Sequence, residues 1–259
     1  VIFDHVKGLA EWMKNSADAY TRENVSDDRQ SIYLRFVPRD GSRPARFECI
    51  DFIGMSNDDI DKAFKRWGDP RAASRDTGRR TLGGHGIGGK FYMRQMFKVS
   101  QFVTYRDGKL NVFGFNERKL YGYADGYQGK RMSEKAALEF SGLSNGDVPK
   151  EARQRWAQKG VGFTVVMGEG PEKRQPLDSI AKGIRLHPQA RRLVKHKQVC
   201  ILNGEEPMRL LPEEIPPRED FDKLRKHDMP AEISRGGQKI VFRNKKYPKA
   251  HLTLYTSAQ

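Results

Sequence analysis

The sequence predicts a mixed α/β domain, and three observations carry that expectation. An amphipathic helical stripe opens the chain, short apolar runs recur in pairs across turn residues, and Gly and Pro punctuate the whole without an internal repeat or low-complexity tract.

The elements follow in order. Val6, Leu9, Ala10, Met13 and Ala17 recur at helical spacing, which predicts a first helix over Val6 to about Arg22. Ser31 to Val37 and Arg46 to Phe52 read as strands joined by the turn-forming stretch Pro38 to Pro44. Asn57 to Trp67 reads as a short helix capped by Ser56 or Asn57. From Gly68 to Gly89 the composition is polar, basic and glycine-rich, and a long loop is expected there. A helix over Lys90 to Phe97 precedes two strands, Val99 to Arg106 and Lys109 to Asn116, with Asp107 and Gly108 as a type I′ hairpin turn. Residues 120 to 159 read as a helical insertion, Val161 to Met167 as a buried strand, Leu177 to Val194 as a basic helical region interrupted near Pro188, and Gln198 to Leu202 as a strand. The first domain is therefore expected over residues 1 to 204. Residues 205 to 259 read as a Pro- and acid-rich linker followed by strands at Lys239 to Arg243 and His251 to Tyr255, which either complete the main sheet or begin another module.

The chain has 259 residues, enough to bury a core without disulfide or metal staples. Its two cysteines, Cys49 and Cys200, lie far apart, too few for a zinc module or disulfide framework, which points to a reducing, cytoplasmic location. No apolar run reaches membrane-spanning length and no signal-peptide pattern opens the sequence, although it begins at Val1 rather than Met. The formal charge of +15 favours phosphate-rich partners without naming a reaction.

Three constellations can carry chemistry. Glu11, Asn15 and Asp18 share one helical face, where a carboxylate and a carboxamide a turn apart can orient a water and hold a hydrated magnesium ion. Asp51-Phe52-Ile53-Gly54-Met55 ends a strand; its carboxylate can accept from an exocyclic amine, its glycine lets backbone approach a flat ring, and its methionine can pack on that ring. Gly83 to Lys90, reading GGHGIGGK before a helix, lets successive amides converge on phosphate oxygens at a helix start. Gly84 to Lys90 also fits the core of a P-loop. Phe91 stands where that motif needs Ser or Thr, however, and the preceding residues are basic rather than a buried strand.

Taken together, with Thr164 on a late strand, the order of these boxes resembles the gyrase, heat-shock chaperone, histidine kinase and MutL ATPases, the GHKL superfamily, over residues 1 to 204. The second box departs from the family pattern, being one residue shorter and holding a single glycine. The resemblance implies a Bergerat ATP-binding fold, a two-layer sandwich whose mixed, mostly antiparallel sheet is covered on one face by helices. It implies ATP and Mg2+ as ligands, Glu11 as general base polarising the attacking water, and Asn15 as the magnesium ligand. Asp51 would read the adenine amino group beside Gly54 and Met55, with Thr164 supporting the pocket, and Asp18 would steady the water network. Gly84, Gly86 and Gly88 would give lid amides to the phosphates, with Ile87 among them, and Lys90 would be a phosphate contact. It further implies ATP-driven lid closure, a nucleotide-dependent homodimer, and a transducer-like module beginning after residue 204. Glutamate at position 11, where histidine kinases generally place Asn, favours hydrolysis.

Two other readings compete: a nucleotide-sensing module that does not hydrolyse, and a nucleic-acid-binding protein. The stripe from Lys182 to Lys197, which gathers Lys182, Arg185, Arg191, Arg192, Lys195 and Lys197 with no acidic residue, could track a nucleic-acid backbone. Arg71, Arg75, Arg79 and Arg80 form a second basic group.

Overall fold

The computed structural model describes residues 5–26, 30–42, 44–64, 88–143, 162–170, 177–196, 198–202, 208–209, 221–228, 231–235, 238–242 and 251–257. It divides into two units, Val1–Glu213 and Glu214–Gln259.

In the first unit, α1 (His5–Arg22) buries Leu9, Trp12, Met13, Ser16, Ala17 and Tyr20, a stripe at helical spacing that seats the helix on a sheet. The sheet is built from β1 (Ser31–Val37), β2 (Arg46–Asp51), β3 (Val99–Arg106), β4 (Lys109–Phe115), β5 (Tyr121–Tyr123), β6 (Lys130–Arg131), β7 (Phe163–Glu169), β8 (Gln198–Leu202) and β9 (Met208–Arg209). Among the described residues its order is β5-β4-β3-β7-β2-β1-β8-β9, with β6 also on β4. Only the β1–β8 pair is parallel; the remaining ladders are antiparallel.

Alternation along the strands sorts side chains to two faces. On the helix-facing side, register aligns Cys49, Val166, Phe102 and Phe113 across β2, β7, β3 and β4. These residues join Leu9, Trp12 and Met13 of α1 and Met93 and Met96 of α3 (Gly88–Met96) in one core. Ile180, Ala181 and Ile184 of α5 (Leu177–Leu186) and Ala190, Leu193 and Val194 of α6 (Pro188–His196) complete it. The chain is thus an α+β sandwich, as the sequence predicts.

The opposite face is not bare. Tyr33, Ile50, Val103, Tyr105, Val112, Phe163 and Val165 form a second core closed by Ala137 of α4 (Glu134–Phe140) and by Leu143. Buried Glu48 there accepts from Arg35 and Arg46, while Arg35 donates to the carbonyls of Gly142 (2.6 Å) and Ser141 (3.3 Å). The guanidinium thereby satisfies carbonyls at the C-terminal end of α4, where positive charge is favoured.

The structure departs from the sequence reading at several points. Within the expected helical insertion, residues 120–143 hold β5, β6 and α4 rather than continuous helix. Tyr121 and Tyr123, two apart, both pack on Phe113 (ring centroids 4.7 and 4.9 Å), a strand period that overrides the helical reading. Its remainder, 144–159, lies outside the described residues. The helix expected over Asn57 to Trp67 is α2 (Asn57–Asp59), capped by Ser56 in a capping box with Asp59, running into a π-helical turn at Ile60–Phe64. Gly88 and Gly89, expected in the loop, form the first turn of α3. The hairpin turn is as predicted, with Asp107 at φ 51° and Gly108 at φ 72°.

In the second unit, β10 (Phe221–Asp228) pairs with β13 (His251–Ser257) and β11 (Ala231–Arg235) with β12 (Gln238–Phe242), all antiparallel. The two tail strands foreseen from sequence therefore pair with β10 and β11, whose charged sequences hid them, and not with the main sheet. Among the described residues no helix is long and apolar enough to cross a membrane.

Candidate functional site

The rows across the helix-facing side are mostly apolar, Ser100 apart, until the last. There Asp51, Thr164, Thr104 and Asn111 stand in register on β2, β7, β3 and β4. All four are buried, at 3, 4, 0 and 1 % exposure. A polar row beneath a helix layer needs partners, because an unanswered buried polar group costs about 1–3 kcal/mol.

For Asp51, Thr164 and Thr104 the partners come from α1 and from the segment after β2, while Asn111 accepts from the Gly129 amide (2.7 Å). Asp51 accepts from the Ser16 hydroxyl on one oxygen (2.6 Å) and from the Ile53 amide on the other (3.0 Å). Thr164 donates to the Ile53 carbonyl (2.7 Å) and lies 3.0 Å from the Thr104 hydroxyl, which accepts from the Met55 amide (2.7 Å). The 53–55 segment thus crosses the Thr164–Thr104 part of the row. Tyr20 pins α1 from the other side, donating to the Ser31 carbonyl (2.6 Å) and accepting from the Phe52 amide (3.0 Å). Arg106 at the end of β3 ties the same segment down, donating to Glu23 (3.0 Å) and the Gly54 carbonyl (3.3 Å).

The electrostatics follow from this burial. Loss of solvent pushes Asp51 up to about 6, opposed by its hydrogen bonds from Ser16 and Ile53 and by the charge of Arg22. The same burial, reinforced by the negative charge of Asp51, holds the Cys49 thiol and the Tyr20 phenol well above their usual ranges, so both stay protonated. Each Asp51 oxygen carries one hydrogen bond and has a second lone pair, so the carboxylate retains acceptor capacity for an N–H donor.

The first box lies on the same helix as Ser16. Glu11 and Asn15 are half-buried and Asp18 is buried, on the face that also carries Lys14. The Lys14 ammonium sits 2.6 Å from the Glu11 carboxylate, with side-chain exposures of 12 and 17 %. Ser16, the residue after Asn15, joins this helix to Asp51. Asp51 and Thr164 are thus adjacent in register, and the helix that carries the first box is joined to Asp51 through Ser16.

Other expected site residues fall differently. A Cβ on Gly54 would lie 2.0 Å from the Tyr105 carbonyl oxygen, so packing of its segment on β3 requires a glycine there. Met55 is half-buried and packs against the helix-side core. Lys90 is turned inward, 3 % exposed, with its ammonium 5.9 Å from the Tyr121 ring centroid, and desolvation lowers it to about 8. It packs against β5 at the edge of the sheet. Gly83, Gly84, Gly86 and Ile87 lie outside the described residues, as do Arg71, Arg75, Arg79 and Arg80, while Gly88 starts α3. In the basic stretch Lys182 is exposed and Arg185 half-buried, while Ile180, Ile184, Leu193 and Val194 bury the opposite faces of α5 and α6.

Sequence reasoning missed Ser16, Tyr20, Thr104 and Lys14. Thr104 was findable, because it shares the parity of Ser100 and Phe102 on a strand buried on that side. Ser16 and Tyr20 act through tertiary contacts that helical periodicity cannot display.

Among the described residues no three His, Cys, Asp or Glu side chains cluster as a metal cage. The oxygen donors on α1 suit magnesium, a hard cation that retains waters and takes few protein ligands alongside substrate phosphates. Comparison with protein-family models and with curated proteins gives no match.

Proposed function

We propose that the chain is a magnesium-dependent ATPase domain of the GHKL type, built on the Bergerat fold. The observation that supports this reading best is the Ser16–Asp51 hydrogen bond. It ties the helix of Glu11 and Asn15 to a strand-end carboxylate in register with Thr164, which supports a common site for the separate boxes of the resemblance. In this reading Asp51 accepts from the adenine amino group, Thr164 and Thr104 hold the 53–55 segment that flanks the ring, and Asn15 holds magnesium. When bound, that ion would neutralise phosphate charge. Glu11 takes a proton from the attacking water, a role worth about 10²- to 10⁴-fold in rate. Lid closure over the nucleotide, homodimerisation and coupling to an effector follow from the resemblance, while the cytoplasmic setting rests on the two distant cysteines.

Calorimetric titration with ATP in the presence of magnesium, run beside Asp51→Asn and Asn15→Ala, tests the reading. Binding is expected in the wild type and loss in both variants. Saturation at about 100 times Kd should stabilise the fold by roughly 2.7 kcal/mol. Absence of both heat and a thermal shift in the wild type would sink it. One observation favours a non-hydrolysing module instead, namely that Glu11 is already engaged by Lys14. Equal phosphate release by wild type and Glu11→Ala would decide for that alternative.

A further inference from the structure

We propose that Lys14 is a phosphate-operated latch on Glu11: the lysine holds the carboxylate until the terminal phosphate of a nucleoside triphosphate draws it away. The inference rests on the ATPase reading and adds a regulation to the same site. It starts from helix geometry. Residues 11, 14, 15 and 18 stand at i, i+3, i+4 and i+7 of α1, so Lys14 lies within the stripe that carries Glu11, Asn15 and Asp18.

The second element is the ion pair itself. At 2.6 Å it is a charge-assisted hydrogen bond, and side-chain exposures of 12 and 17 % put it in a partly desolvated position. Such a pair is screened less than a surface pair, yet remains reachable by a ligand. A carboxylate that accepts from an ammonium has one acceptor position fewer for a water, so the resting contact restrains the base.

A terminal phosphate bears more negative charge than a carboxylate and offers three oxygens. The lysine is a compact point charge on a flexible stem, able to turn from one anion to the other without moving the helix. One movement would then do two things, placing a cation on the phosphate and freeing Glu11 for the water. A diphosphate, which lacks that group, would leave the latch closed. The site would thus distinguish ATP from ADP through a lysine on its own first helix.

Calorimetry with an imido-bridged, non-hydrolysable ATP analogue and with ADP, both with magnesium, tests the latch independently of turnover. Lys14→Met should weaken the analogue by about tenfold or more, the scale of a charge-assisted hydrogen bond, and leave ADP unchanged. Glu11→Gln should tighten the analogue about threefold to tenfold, because the lysine no longer has to be taken from a carboxylate. The double variant should match Lys14→Met, and Lys14→Arg should restore most of the preference for the triphosphate. Equal weakening of analogue and ADP by Lys14→Met overturns the latch, as does unchanged analogue affinity in Glu11→Gln. The second variant is nearly isosteric, so the test survives if Lys14→Met folds poorly. A wild type that binds neither nucleotide overturns the ATPase reading together with the latch; a wild type that binds both, with either failed result above, overturns the latch alone.

Discussion

The two faces of the sheet each bury a carboxylate, and they answer it in opposite ways. Glu48, on the α4 side and 1 % exposed, is bracketed by two guanidinium groups, one of which continues to the carbonyls that end α4. Asp51, on the α1 side and 3 % exposed, accepts among the described residues from one hydroxyl and one amide. Complete compensation makes the first a structural clamp. The second keeps its desolvation cost and, among the described residues, an acceptor position on each oxygen.

The comparison can be broken most forcefully at the clamp. Glu48→Ala strands Arg35 against the sheet without its counter-charge, and breaking a buried pair in this way costs roughly 3–5 kcal/mol. Urea denaturation should show that loss, together with easier proteolysis around α4. A change under 1 kcal/mol would mean that Glu48 and Asp51 are not different in kind.

Asp51→Asn should move stability the other way. The folded-state value of about 6 lies above the unfolded value near 3.8, so the folded protein holds this proton more tightly. Stability from this group is therefore full below about pH 4 and declines as pH rises to about 6, by up to roughly 3 kcal/mol. Asparagine removes that decline, so the variant should gain on wild type between pH 4 and pH 7 in parallel denaturation series, while losing ATP affinity by about a hundredfold on the scale of a buried hydrogen-bonding charge. Parallel pH profiles for the two proteins would show that Asp51 does not carry the shift.

What the sequence disclosed divides along the same line. Elements governed by one local period were legible: the stripe of α1, the Asp107–Gly108 hairpin, and the strand Gln198–Leu202. So was the pairing of a strand-end carboxylate with a late-strand threonine, because the resemblance supplied their order. The clamp was not legible, since Arg35, Glu48 and Gly142 meet only once three distant segments are folded. The segment 120–143 misled for a related reason: its tyrosines sit at strand spacing, but Gly122 and the flanking charges obscure the period. Ser16 answers the polar row through a contact with no signature in its own neighbourhood, whereas Thr104 shares the buried-face parity of its strand.

The smallest test is the finest. In Thr164→Val the side-chain shape is nearly kept, but the donor to Ile53 and the partner of Thr104 are lost, leaving a buried carbonyl short of a proton. That should cost about 1–2 kcal/mol in denaturant. Because Thr164 holds the segment after Asp51 and not the first helix, the nucleotide penalty should fall on the base and spare the phosphates. ATP, ADP and AMP should all weaken by a similar factor, about fivefold on the scale of a single neutral hydrogen bond, whereas Lys14→Met should spare ADP and AMP. Thr164→Ser, which retains the hydroxyl, should recover most of both losses. If serine recovers stability without affinity, the row supports the sheet but not a ligand, and the difference between the two faces is then one of packing alone.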